Sequence, residues 1–216
     1  MDGPRNGRRA ALALVLALVV LVGLAPSAGA VPRNDRVAGR LVGELWRTVL
    51  ELPADESNPY VVARCVRFVN VVAPFAPLGP DVPDLSCRLR ANDRVFVGAR
   101  VWEQSAYEQV LAGNPDTSEA GLRAEALRLL DQQGAPEVRL DGRVVPVVKG
   151  VSRLVRVDLP TNNLFGDPSV TSTTLVAAGW VALVRPGPGR HTIAIRQPDG
   201  TGTTTHLYLA RRGHHR

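Results

Sequence analysis

Two apolar strand patterns joined by a Pro-Gly-Pro-Gly connection constrain the fold more than any other stretch of the chain. Within residues 179–195, apolar residues recur at every second position on both sides of the connection, which is the period of a half-buried strand. The connection, residues 186–189, is unsuited to a ladder because proline lacks the amide hydrogen and glycine weakens a strand interior. The pattern predicts a strand pair, and such an apolar pair must be covered by a second sheet or a helix. The alternating positions are Val181, Leu183, Ile193 and Ile195.

The first thirty residues have the pattern of a secretory signal peptide. Three arginines precede an apolar run, residues 10–24, and small residues follow it up to Ala30. A basic start, an apolar run and an A-x-A site are the parts of such a signal, so cleavage is expected between Ala30 and Val31. The run of about 15 residues is shorter than the ~20 that a spanning helix needs, which argues against an uncleaved anchor.

Two cysteines, Cys65 and Cys87, follow the signal. In an exported chain an oxidising compartment favours a disulfide between them. The alternative is a cysteine nucleophile, which needs a histidine nearby. Only His191 and His206 lie outside the extreme C-terminal tail. The sequence therefore predicts a Cys65–Cys87 bridge.

Helical spacing appears in two segments. The first has an apolar stripe at intervals of four residues, with Asn34 or Asp35 as its cap and Pro53 as its stop. The second follows a turn and cap at residues 114–117 and ends at Gly134. The first stripe is Val37, Leu41, Leu45 and Val49, and the second is Leu122, Ala126, Leu129 and Leu130.

The rest of the chain has strand patterns. Residues 61–72 predict one strand, four prolines and Gly79 predict irregular structure over residues 73–83, and residues 95–102 predict another strand. Everything after Glu137 reads as strand, including a hairpin at Asp141-Gly142, a strand over residues 151–157 and a last strand over residues 203–209.

These elements predict a mainly β (α+β) fold, an antiparallel β-sandwich-like domain with two flanking helices. The domain is expected to span residues 31–210 and to be followed by a basic tail, residues 211–216. A parallel doubly wound sheet is not expected, because strands and helices do not alternate along the chain.

Charge limits the partners. The chain has a formal charge of +6, and removal of the signal, which carries +2, leaves +4. The positive residues are scattered arginines, with Lys149 as the only lysine, which is typical of solvated strand faces and not of a nucleic-acid groove. No membrane span is expected after cleavage. Attraction to an anionic envelope or extracellular polymer is compatible with this charge.

Several short stretches occur in a characteristic order along the chain. They are Trp46, Pro53, Asn58-Pro59, Cys87, Val95-Phe96-Val97, Glu103-Gln104-Ser105, Glu119-Ala120-Gly121-Leu122-Arg123, Leu129-Leu130-Asp131-Gln132, Leu140-Asp141-Gly142, residues 159–166, Gly179-Trp180 and residues 188–193. In these stretches the chain resembles, over roughly residues 41–196, a family of secreted bacterial proteins of unknown function. The resemblance implies export and a shared fold, and it implies no activity. Residues 90–93, Arg-Ala-Asn-Asp, depart from the family's Pro-Ala-Gly, and Phe96-Val97 replaces its paired phenylalanines, so a site built there would be altered.

Catalytic signatures are absent from the sequence. It contains no nucleophile elbow, P-loop, dinucleotide fingerprint, zinc-protease motif or EF-hand loop, so no cofactor and no metal are expected. Glu103 and His191 remain as catalytic candidates. His191 follows a Gly turn, where a structural histidine that bonds turn carbonyls is the simpler interpretation. Less specific candidates are Glu44, Asp55, Glu56, His206 and the tail pair His214 and His215.

Two functions are compatible with these observations. The first is a secreted or envelope domain without catalysis, which binds or structures something outside the cell. The second is a carboxylate-based hydrolase of an extracellular polymer such as a glycan, with Glu103 as its participant. Trp46, Trp102 and Trp180 can line a groove for a sugar or peptide, or they can anchor the core.

The exported protein is predicted to begin at Val31 and to contain one disulfide. N-terminal sequencing of protein from the culture medium tests the first point, and intact mass before and after reduction tests the second, with a rise of about two hydrogens expected. A mature protein with two free thiols, or one that begins at Met1, would contradict the prediction.

Overall fold

The computed structural model describes residues 33–76 and 84–210. The chain divides into two units, Met1–Ala30 and Val31–Arg216, and all described residues belong to the second. The helices are α1 (Arg33–Leu50), α2 (Ala106–Leu111) and α3 (Glu119–Gln133). The strands are β1 (Arg64–Phe68), β2 (Val71–Phe75), β3 (Leu85–Leu89), β4 (Arg94–Ser105), β5 (Glu137–Leu140), β6 (Arg143–Val145), β7 (Val148–Val151), β8 (Val155–Asp158), β9 (Ser172–Val184), β10 (Gly189–Arg196) and β11 (Gly202–Leu209).

The strands form two sheets. The large sheet has the order β1-β2-β4-β9-β7, and β8 also pairs with β9. The small sheet has the order β3-β11-β10-β5-β6. Most neighbours are antiparallel, and the β2–β4 and β3–β11 pairs are parallel. The predicted mainly β, sandwich-like fold is confirmed, with the short helix α2 in addition to the two predicted helices.

The large sheet is the middle layer. One face packs on α1 through a cluster that includes Leu45, Phe96 and Ala177. The opposite face packs on the small sheet, as Val97 and Ala182 cluster there with residues such as Ile193 and Leu207. Farther along the same face, α3 packs on the large sheet in place of the small sheet, and Ala126 and Leu130 contact Ala178 there. Neighbouring side chains of β9 thus serve different layers, as the alternation of a strand requires.

Helix α1 lies unusually close to β7. A Cβ atom added to Gly39 would lie 2.2 Å from the Val151 carbonyl oxygen, and one added to Gly150 would lie 2.7 Å from the Ala38 carbonyl carbon. Both neighbours are backbone atoms, which cannot turn away as a flexible side chain can. Glycine at these two positions therefore lets the helix and the strand approach backbone to backbone.

The predicted strand pair within residues 179–195 is wrong in its pairing. Both strands exist, but β9 belongs to the large sheet and β10 to the small sheet. β9 pairs with β4, β7 and β8, whereas β10 pairs with β11 and β5. The Pro-Gly connection leads the chain from one sheet to the other. Residues that end a strand ladder are equally compatible with a hairpin and with a connection between two sheets, so their composition does not distinguish the two.

Two further strand predictions need correction. Residues 61–72 contain β1, a turn and the start of β2, and the turn residue Val69 has φ +48°, a conformation rare for a β-branched residue. β2 continues through Pro74 to Phe75, within a stretch predicted to be irregular. These two residues pair with Cys65 and Arg64 of β1. Residues 77–83 of that stretch lie outside the described residues. The predicted strand over residues 151–157 is split into β7 and β8.

Helix boundaries were predicted closely, with small errors at the caps. α1 begins at Arg33, so Asn34 and Asp35 lie in its first turn, and Val37 is 43% exposed instead of buried in the stripe. The N-cap of α3 is Ser118, whose side chain accepts from the Gly121 amide, one residue after the predicted turn. Its end at Gly134 and the Asp141-Gly142 hairpin between β5 and β6 are confirmed.

The predicted disulfide between Cys65 and Cys87 is present, with a Cα–Cα distance of 5.7 Å. It joins β1 of the large sheet to β3 of the small sheet. In the chain-entropy model, a loop of this length contributes about 3 kcal/mol to stability. The predicted signal peptide, its cleavage site between Ala30 and Val31, and the basic tail with His214 and His215 lie outside the described residues. Within the described part of the chain, no helix has the length and apolarity needed to cross a membrane.

Replacing Gly150 by alanine is expected to destabilise the protein, because the new methyl group meets the backbone of α1. We expect a loss of about 3 kcal/mol, the upper part of the range for overpacking a core. Gly187→Ala is the matched control: nothing lies within 4 Å of its added Cβ, so its stability should stay within about 1 kcal/mol of wild type. Denaturant unfolding of both variants gives the two numbers, and equal stabilities would contradict the close packing of α1 on β7.

Candidate functional site

A pocket at the end of the large sheet combines aromatic and acidic side chains from six parts of the chain. We call it the Glu103 pocket, and its cavity volume is about 190 Å³. α1 supplies two of its lining residues, β4 three, α2 and α3 one each, and the loops before β1 and before β9 the rest. The lining residues are Trp46, Leu50, Tyr60, Trp102, Glu103, Gln104, Glu108, Leu129, Leu164 and Phe165.

The pocket lies where β4 loses one of its neighbours. β2 pairs with β4 only at Val71 with Arg94 and at Val72 with Val95. Beyond that point, β4 has a strand partner only on its β9 side within the described residues. Residues 102–104 of this part of β4 line the pocket together with Trp46. The Trp46 ring in turn packs on Phe75 at the end of β2, with their ring centroids 5.8 Å apart.

An irregularity in β4 directs Glu103 into this pocket. The register between β4 and β9 shifts between Gly98 and Arg100, so the strand gains one residue relative to its partner. A bulge of this kind reverses which face the following residues occupy. As a result Glu103 pairs with Ala177, which belongs to the α1 side of the sheet, and Trp102 packs towards α3.

The electrostatics of the pocket centre on two neighbouring carboxyl groups. Burial, followed by the negative charge of Glu108 and a hydrogen bond with it, raises the pKa of Glu103 well above its usual range. Glu108 is held in place by the capping box of α2, where its Oε2 accepts from the Ser105 amide at 3.1 Å and from Ser105 Oγ at 2.7 Å. The pair thus consists of an anchored carboxylate and a buried carboxyl that resists ionisation.

Three buried polar atoms of the lining residues have no hydrogen-bond partner among the described residues. They are Nε1 of Trp46, Nε1 of Trp102 and Oε2 of Glu103. A buried polar atom left unpaired costs on the order of 1–3 kcal/mol. Such atoms are uncommon in folded proteins, and these three belong to residues that line one cavity.

Two buried asparagines position the aromatic rings that the loops contribute. Asn58 Nδ2 donates to the Val49 and Leu52 carbonyls at the end of α1, while its Oδ1 accepts from the Tyr60 amide. Asn163 acts in the same way in the other loop: its Nδ2 donates to the carbonyls of Asp167 and Val170, and its Oδ1 accepts from the Phe165 amide. Each asparagine fixes the backbone of the aromatic residue two positions later.

His191, the second catalytic candidate, is not part of the Glu103 pocket. It lies on β10, with Nδ1 2.7 Å from Asp141 Oδ2 and Nε2 2.9 Å from the Gly187 carbonyl oxygen. The Asp141 carboxylate is the main cause that raises the pKa of His191. Both ring nitrogens face acceptors, so the protonated ring donates twice and keeps no free nitrogen for proton abstraction. This geometry suits a histidine that fixes the Pro-Gly connection.

The remaining candidates lie apart from the pocket. Glu44 pairs with Arg47 on α1, and Asp55 accepts from the Ser57 amide in its own loop. His206 Nε2 lies 3.8 Å from Asp84 Oδ2 on the small sheet. Trp180 is on β9, where Lys149 Nζ lies 5.2 Å from its ring centroid. Glu56 is exposed. Among the described residues, no three His, Cys, Asp or Glu side chains gather as metal ligands.

The sequence predicts only Trp46, Trp102 and Glu103 among the residues of this pocket, although it contains a signal for one more. Glu108 completes Ser105-Ala106-Tyr107-Glu108, a capping-box pattern that predicts a helix start and a fixed carboxylate. Tyr60 and Phe165 lie two residues after Asn58 and Asn163, in loops for which the sequence pattern predicts no site. The helical spacing of Leu129 predicts a core position on α3 instead. Their convergence depends on the fold, and no spacing in the sequence expresses it.

Comparison with known proteins returns no match to a family model, a curated protein or a solved structure. The resemblance drawn from the sequence motifs therefore stays a prediction.

Glu103→Gln is expected to stabilise the protein increasingly as pH rises. The folded-state pKa of Glu103 lies above the unfolded value of ~4.3, so the folded protein keeps a proton that the unfolded chain releases. By linkage, this group lowers wild-type stability as pH rises above ~4.3, until pH passes the folded-state pKa. Glutamine has no such proton, so its advantage over wild type should be larger at pH 8 than at pH 4.

Denaturant unfolding at the two pH values measures this difference. Glu51→Gln is the control, because Glu51 is exposed at the end of α1 and does not line the pocket. An advantage of Glu103→Gln that is the same at both pH values would show that the pKa of Glu103 is not raised in the folded protein.

Proposed function

We propose that this protein is an exported binding domain without catalytic activity, and that its ligand enters the Glu103 pocket. The observation that carries the proposal is a single cavity that four aromatic residues, Trp46, Tyr60, Trp102 and Phe165, line together with the Glu103–Glu108 pair. The cavity is smaller than the ~300–1,000 Å³ of typical ligand pockets. A single headgroup, sugar unit or side chain of a larger molecule, such as an envelope or extracellular polymer, is the part that would enter.

Export is supported from two directions. The Cys65–Cys87 disulfide fits a protein that functions outside the cytoplasm, because thiols stay reduced inside most cells. The signal-peptide pattern that ends at Ala30 adds a route for export.

A carboxylate-based hydrolase is the second candidate, and the Glu103–Glu108 pair is the observation that favours it. A carboxyl that stays protonated beside a fixed carboxylate is a common arrangement for acid–base catalysis. Glycosidases, however, keep their two carboxyl groups roughly 5–9.5 Å apart to fit the sugar or a water between them. A hydrogen-bonded pair lacks that space, so binding is better supported than glycan hydrolysis by these two residues.

Filling the pocket is expected to weaken ligand binding. Leu129→Trp places a large ring at the cavity wall, and Ala124→Trp places the same ring at an exposed position of the same helix. Ligand-observed NMR with cell-wall glycan fragments, amino acids and quaternary amines should detect compounds that bind wild type and Ala124→Trp equally. Their affinity for Leu129→Trp should fall about tenfold or more, the equivalent of ~1.4 kcal/mol.

Two results would contradict the proposal. Compounds that bind Leu129→Trp as well as wild type would place the ligand site elsewhere. Hydrolysis of a glycan fragment that is lost in Glu103→Gln would make the protein an enzyme and support the second candidate.

A further inference from the structure

The charge of the Glu103 pocket restricts the ligand that it can accept. Glu103 and Glu108 are the only acidic side chains among its described lining residues, which include no Arg, Lys or His. An anionic group would enter against the charge of Glu108 and would gain no compensating partner. The ligand class is therefore neutral or cationic.

The aromatic lining of the pocket favours a cationic ligand over a neutral one. Four aromatic residues, Trp46, Tyr60, Trp102 and Phe165, line the same small cavity. Trp46 and Tyr60 contact each other, with ring centroids 6.1 Å apart, and so form one continuous aromatic wall. The faces of such rings carry negative potential and attract ammonium groups, most strongly where water is excluded. Aromatic walls with an acidic floor are the arrangement by which proteins recognise alkylated ammonium groups.

A bound cation would also make ionisation of Glu103 more favourable. The charge of Glu108 opposes that ionisation, and the described lining contains no cationic side chain that would offset it. A metal ion suits the site poorly, because hard cations need six or more oxygen ligands and the lining offers two carboxyl groups and Gln104 among aromatic and leucine side chains.

We propose that the Glu103 pocket binds a small organic cation, an alkylated ammonium headgroup or side chain, with Glu108 as its charge partner and the aromatic residues as its cage. The inference rests on the proposed binding function and names the ligand class for the same site.

Cation binding favours the ionised form of Glu103, so the affinity for the cation should rise with pH. Tyr60 is the only other ionisable residue in the lining, and α1 and α3 contribute only Trp46, Leu50 and Leu129, which do not titrate.

Choline and 3,3-dimethyl-1-butanol provide a matched pair of probes, because they have the same shape and only choline is charged. Isothermal titration of the full exported protein, with its disulfide intact, should show choline binding about tenfold or more tightly than the alcohol, a difference of ~1.4 kcal/mol. The affinity of choline should increase from pH 5 to pH 8, and that of the alcohol should stay constant.

Three variants assign the effect to named residues. Glu108→Gln should weaken choline about tenfold or more and leave the alcohol within about twofold. Tyr60→Leu, at a position 42% exposed and so tolerant of change, should also weaken choline more than the alcohol, and it provides a second test if Glu108→Gln unfolds. Glu103→Gln should remove the pH dependence of choline binding. Glu51→Gln should behave as wild type, since it changes net charge equally outside the pocket.

The outcomes separate the ligand class from the proposed function. Choline that fails to bind, or that binds no more tightly than the alcohol, overturns the cation inference. If sugar or other neutral probes still bind wild type and lose affinity in Leu129→Trp, the pocket stands with a neutral ligand. If neither class of probe depends on the pocket, both the inference and the proposed function fail. Calcium or magnesium binding that is lost in Glu108→Gln would replace the organic cation with a metal.

Discussion

The pairing of β4 with β9 is the interaction on which the other layers depend. On the edge opposite β4, β9 pairs with β7 and β8. Its side chains pack on α1 from one face of the sheet, and on α3 and the small sheet from the other. The register shift at Gly98 changes the faces of β4 halfway along the pair, so Phe96 and Val101 both face α1 although an odd number of steps separates them. The same shift gives Glu103 its place opposite Ala177. Without it, this carboxyl group would face α3.

The Glu103 pocket is a product of several weak local rules acting together. A capping box fixes Glu108, two buried asparagines fix the backbones of Tyr60 and Phe165, and a bulge turns Glu103 inward. The loops that carry the two rings are also tied to each other, because the Ala54 amide donates to the Asn162 carbonyl at 2.6 Å. A site assembled in this way is held rigidly before any ligand arrives, which lowers the entropic cost of binding.

Much of the fold was readable from the sequence, and most of the site was not. Gly134, the Asp141-Gly142 turn and the cysteine pair express local chemistry, and each appears where it was predicted. The partner of a strand is not local: residues 186–189 end β9 and begin β10, but their composition is the same for a hairpin and for a crossing between sheets. The turn at Val69 was not predicted, because valine, a β-branched residue, rarely adopts the positive φ that it has there. The bulge at Gly98 broke the period of two that would have placed Glu103.

The order of the small sheet has a consequence for how the chain acquires its structure over time. β11 is the last described strand in sequence, yet it lies between β3 and β10, and it runs parallel to a strand more than a hundred residues earlier. A chain that emerges with its N-terminus first cannot complete this sheet until β11 has been synthesised. Until then, the apolar face of the large sheet has no partner over the region that β11 helps to cover. Completion of the small sheet therefore depends on long-range contacts, which are slow to form and leave apolar surface exposed in the unfinished chain.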